Sequence, residues 1–81
     1  MLTTYIEAAM RHAQVEQLPD DGSYYAEIPA FPGVWASGSD ASTCLHELRE
    51  VLEDWIVLQL RKNAQLPSVD GLTLPKPAVP A

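Results

Sequence analysis

One cysteine, one phenylalanine and only five Lys or Arg residues occur in this 81-residue chain, and each scarcity excludes something. A lone Cys44 forms neither an internal disulfide nor a thiolate cluster for zinc, which points to a reducing compartment, the cytoplasm. Against the five basic residues stand eleven acidic ones, for a net charge of -6, and no stretch gathers the Lys and Arg that phosphates require. Direct nucleic-acid binding is therefore not expected. Long hydrophobic runs are also missing: the block Trp55-Ile56-Val57-Leu58 falls far short of the roughly 20 residues that span a bilayer. Glu7 and Arg11 interrupt the first residues in a way that a signal peptide does not. The glycines at positions 22, 33, 38 and 71 are isolated, so they assemble no phosphate-cradling loop.

What is present suits one small packed domain. Hydrophobic residues make up 47% of the chain and charged ones 20%, enough apolar surface for a single core but not for two. Thr4 followed by Glu7 has the spacing of a capping box, and Ile6, Ala9, Met10 and Ala13 form one apolar stripe, so a short helix is expected from Thr4 to about His12. Residues 13–18 lose that period, and Pro19-Asp20-Asp21-Gly22 supplies the residues of a tight turn. A hairpin follows, whose second strand spans residues 23–28 with Tyr24, Ala26 and Ile28 toward the core and Tyr25 on the other face. Pro29 ends that strand, Pro32-Gly33 predicts a type II turn between Phe31 and Val34, and residues 34–37 form a third strand stopped by Gly38.

Asp40 is a good N-cap, and Cys44, Leu45, Leu48, Val51, Leu52, Trp55 and Gln59 recur at helical spacing after it. This covering helix, if it reaches Asn63, is about 34 Å long. Its far end is then expected to overhang a domain whose radius of gyration is about 12 Å. Trp55, Ile56, Leu58 and Leu60, with Val57 among them, leave no wholly polar face there, which points to a subunit interface, most simply a two-fold homodimer or a higher oligomer. Their fitting into the monomer's own core is the competing reading. Four prolines follow Leu66, with Leu72-Thr73-Leu74 between them able to return as a strand. The architecture expected is α+β: a short helix, a three-stranded antiparallel meander, a long covering helix and a short returning strand. Residues 1–74 form the domain and residues 75–81 a flexible proline-rich tail.

Chemistry finds little to work with. His12 and His46 fall on different helices without a second ligand at a zinc spacing. Cys44 sits in the core stripe, where free cysteine acts as a small hydrophobe. Glu47, Glu50, Glu53 and Asp54 read as a solvated helix face. Glu16, Glu27 and Asp40 are the best approximation to a two-metal acidic set, and they fall short of the three or four converging acids such chemistry needs. No catalytic residue, metal or cofactor is expected.

The stretch from Ser23 to Gly38, with Tyr25, Pro29, Pro32, Gly33 and Gly38 in order before a capped amphipathic helix, resembles the HicB-like antitoxin family over residues 13–66. The resemblance implies a partial ribonuclease-H-like fold without the nuclease's acidic set. It also implies a function: masking a small basic ribonuclease toxin of the HicA type. Many members carry a DNA-binding segment after this domain, whereas here only proline-rich sequence follows Leu66, so operator binding by this chain is not expected. On this reading Tyr25, Glu27, Phe31 and Trp35 form the toxin-binding surface, with the three aromatic residues as anchors in an interface of roughly 1,200 to 2,000 Å². The alternative is an orphan oligomeric scaffold or regulator that keeps the fold and has no cognate toxin.

Overall fold

A computed structural model describes residues 2–72. Its elements run α1 (Leu2–Met10), β1 (Gln14–Gln17), β2 (Tyr24–Glu27), β3 (Trp35–Gly38) and α2 (Ala41–Arg61). The strands form one antiparallel sheet in the order β1-β2-β3, which is the expected α+β meander with its long helix. Residues 75–81, expected as a tail, lie outside the described residues.

The turns follow from their sequences. Between β1 and β2 the Leu18 N–H donates to Ser23 O at 2.7 Å, and Gly22 takes φ 75°, a conformation without penalty only for glycine. At Pro32-Gly33 the Val34 N–H donates to Phe31 O at 3.0 Å while Gly33 takes φ 87°, the type II geometry that the two residues predict.

Helix α2 starts where Asp40 accepts a hydrogen bond from the Thr43 N–H at 2.7 Å. It ends in a Schellman motif: Asn63 takes φ 56°, its N–H donates to Leu60 O, and the Ala64 N–H reaches back to Gln59 O at 2.9 Å. The α2 stripe Cys44, Leu48, Leu52 and Ile56 is fully buried and packs chiefly over β3 and β2, leaving β1 as an edge exposed along its length. Full burial of a residue such as Leu48 or Leu52 contributes about 1.5–3 kcal/mol. Ala26 and Ala36, paired across β2 and β3, present short side chains beneath the helix, and Gly38 presents none. A Cβ on Gly38 would lie 2.9 Å from the Cys44 backbone nitrogen and 3.1 Å from its Cα. The sheet and the helix backbone touch at that point.

Three expectations need correction. Thr4 lies inside α1, which begins at Leu2, so no capping box forms; the helix instead buries Tyr5, Ile6, Ala8 and Ala9, a wider face than the predicted stripe. Leu72 does not return to the sheet but bridges to Val69 across the tight turn Asp70-Gly71, both with positive φ; Thr73 and Leu74 lie outside the described residues. Ile56 is 1% exposed and belongs to the monomer's own core, in the cluster that Leu66 and Val69 also join.

Two consequences are measurable. Gly38→Ala should lower the stability by about 1–3 kcal/mol, since the obstructing atoms are backbone and cannot swing aside; a urea midpoint that falls at unchanged m-value checks this. The hydrogen bonds from Thr43 hold the Asp40 carboxyl below its ordinary pKa. The cap's ionic contribution is thus complete above the unfolded-state value and is lost as pH falls through the lower folded value. Asp40→Asn, which caps without titrating, should show a shallower acid limb when unfolding is followed by circular dichroism from neutral to strongly acidic pH.

Candidate functional site

A sheet has two faces and α2 covers only one. Because cross-strand partners point the same way, the register Gln14↔Glu27, Glu16↔Tyr25, Tyr25↔Ser37 and Glu27↔Trp35 puts these six residues together on the opposite face. On it the Tyr25 and Trp35 rings stack, with centroids 6.0 Å apart and planes 26° from parallel. Trp35 is 55% exposed. Beside Tyr25 lies a cleft of about 210 Å³ lined by Gln14, Val15, Glu16, Tyr25 and Glu27. Partial desolvation, followed by the charge of Glu27 and a side-chain hydrogen bond to it, and then by the charge of Glu16, raises the Tyr25 phenol above its ordinary pKa. The phenol is therefore neutral, and an aromatic surface flanked by two carboxylates results.

Of the expected partner-binding residues, the fold brings Tyr25, Glu27 and Trp35 together on this face and separates Phe31 from them. Phe31 is 1% exposed, held edge-on between Tyr5 (centroids 6.1 Å apart) and Trp55 (5.2 Å), so it is a core residue and not a contact surface. Val34, whose N–H donates to Phe31 O across the Pro32-Gly33 turn, is buried with it. In the sequence Glu16 stands out only as a weak metal-ligand candidate; its pairing with Tyr25 makes it the second acid of the face, and the alternation Gln14, Glu16 along β1 is the signal that could have found it.

The expected self-association residues divide as well. Ile56 is buried, Trp55 and Leu60 are half-buried against the core, and Leu58 is 47% exposed, as is Val57, both turned away from the buried stripe.

Elsewhere the chemistry is sparse. Cys44 is fully buried and its Sγ donates to Ala36 O at 3.5 Å; burial pushes the thiol up, away from a reactive thiolate. His12 Nε2 lies 2.7 Å from Asp70 Oδ1, with Arg11 3.7 Å from the other carboxylate oxygen, so these groups tie α1 to the segment after α2. A cleft of about 240 Å³ next to this pair is lined mainly by Ala9, Ile28, Pro29, Phe31 and Val69. Glu16, Glu27 and Asp40 do not converge, since Asp40 caps α2. Among the described residues no three His, Cys, Asp or Glu side chains are grouped to hold a metal, and no helix is long and apolar enough to cross a membrane.

This division of aromatic residues is testable by stability alone. Trp35→Ala removes an exposed cross-strand pair and should lower the stability by about 0.2–1 kcal/mol. Phe31→Ala empties a core site and should lower it by about 3–5 kcal/mol in the same chemical denaturation experiment.

Comparison with known proteins agrees with this architecture. The structure is similar to the crystal structure of TTHA0281 from Thermus thermophilus, with 36% sequence identity, a TM-score of 0.87 and coverage of 95% of each chain. No curated protein matches the chain. The UPF0150-like family profile matches residues 4–67, from within α1 to the core segment after α2. A match over the whole meander and its covering helix makes the chain a member of the UPF0150-like family.

Proposed function

We propose that this protein is a cytoplasmic, non-catalytic binding domain of the antitoxin type, which captures a small basic protein on the open face of its sheet. One observation carries the reading: Tyr25, beside Glu16 and Glu27, stacks on the exposed Trp35, on a face that α2 leaves uncovered. Exposed aromatics anchor protein interfaces, and complementary charge speeds encounter with a basic partner. The UPF0150-like family is associated with HicB-like antitoxins, so the partner chemistry that the HicB-like resemblance implies, a HicA-type ribonuclease toxin, matches this acidic aromatic face.

The alternative of an orphan scaffold draws on a different observation, the exposure of Val57 and Leu58 on α2, which offers an apolar surface for a second copy in either reading. Co-expression with a small basic protein encoded beside this one discriminates between them. The antitoxin reading expects a stable complex and rescue of growth from the partner's toxicity. Trp35→Ala should weaken the complex by roughly 30-fold, the loss typical of an interface hot spot. No complex with the basic protein, together with concentration-dependent self-association abolished by Leu58→Glu in sedimentation equilibrium, supports the scaffold instead.

A further inference from the structure

The face proposed above contains a more specific feature. Its two acids are uncompensated: Gln14, Glu16, Tyr25, Glu27, Trp35 and Ser37 include no cation, and neither Glu16 nor Glu27 enters an ion pair among the described residues. The other acidic surface of the molecule differs in this respect. On α2, Glu50 lies 3.6 Å from His46 and Glu53 lies 3.7 Å from Arg49, so two of the four acids in that row, Glu47 and Asp54 being the others, have a basic group on their own helix. Both sheet carboxylates flank one aromatic ring, Glu16 opposite Tyr25 in the register and Glu27 two residues along the same strand, and the cleft beside the ring has room for one side-chain head group.

We infer that this cleft is an anchor site for a single arginine side chain of the partner protein, with the guanidinium against the Tyr25 ring, on which Trp35 stacks from β3, and its N–H groups donating to Glu16 and Glu27. The charge of the site selects a cation, and the stacked rings select a flat one. Guanidinium is planar, weakly hydrated and forked, so it can lie on an aromatic face while it donates sideways to carboxylates. A lysine ammonium gains the charge attraction but is a compact, strongly hydrated point charge. Binding also relieves the repulsion between two like charges held on one face.

The inference rests on the binding-domain reading, and its test is separable from that reading. The full-length protein, labelled with ¹⁵N, is titrated at low salt with a short capped oligoarginine peptide and with the matching oligolysine and oligocitrulline peptides, following the Trp35 indole and the Tyr25 and Glu27 amides. Oligoarginine should shift these signals and bind several-fold more tightly than oligolysine, with no binding of the uncharged citrulline peptide. Glu16→Gln combined with Glu27→Gln, both exposed or half-buried and outside the core, should weaken oligoarginine roughly tenfold while leaving the fold's circular dichroism unchanged. The inference is overturned if the peptide shifts only the Glu47, Glu50 and Glu53 amides, if the double variant binds undiminished, or if oligolysine binds equally well. Should that occur while Trp35→Ala still weakens the complex with the basic protein, the arginine anchor alone fails; indifference of that complex to Trp35→Ala removes the binding face itself.

Discussion

The contact between α2 and the sheet governs the rest of this structure. Three short strands have two faces to dispose of, and the chain supplies one long amphipathic helix whose buried stripe, Cys44, Leu48, Leu52 and Ile56, closes over β2 and β3. Close approach is possible because the sheet offers the helix the small residues Ala26, Ala36 and Gly38. Among the described residues, α2 leaves the outer face of the sheet and the β1 edge uncovered.

Alternation along a strand then links core and site. Each core residue of β2 and β3 fixes the orientation of its neighbour, so burying Ala26 and Ala36 turns Tyr25, Glu27 and Trp35 outward with no further instruction. A slip of one residue would exchange the two sets, placing Tyr25, Trp35 and the Glu27 carboxylate beneath the helix. The charge on the outer face therefore helps to specify the register, as well as being available to a partner.

Features encoded by neighbouring residues are legible in the sequence. Asp40 before the helical period, Pro32-Gly33 between apolar flanks, and Gly22 closing the first hairpin all act through local backbone geometry, and all three appear where expected. Most of the candidate face is legible for the same reason, because period-two alternation separates Tyr25 from Tyr24. Features that depend on distant contacts are not. The Tyr5, Phe31 and Trp55 rings meet from three separate segments, and nothing near Phe31 in the chain distinguishes a core ring from an exposed anchor. Ile56 reads as an interface residue in the sequence, whereas the fold buries it in one core cluster with Leu66 and Val69, which follow Asn63 in its left-handed conformation uncommon outside glycine. Thr4 and Glu7 satisfy a short motif by coincidence in mid-helix.

The Tyr5 hydroxyl donates to the Pro67 carbonyl across 62 residues, and His12 meets Asp70 across 58. Contacts that close so long a loop repay their entropy only after the intervening chain is in place, whereas the meander and α2 are built from nearer neighbours. We therefore expect the first helix and the segment from Leu66 to Leu72 to dock last during folding and to detach together as the native state opens. Hydrogen exchange would then reveal two tiers of protection, with the sheet that carries Tyr25 and Trp35 in the slower one.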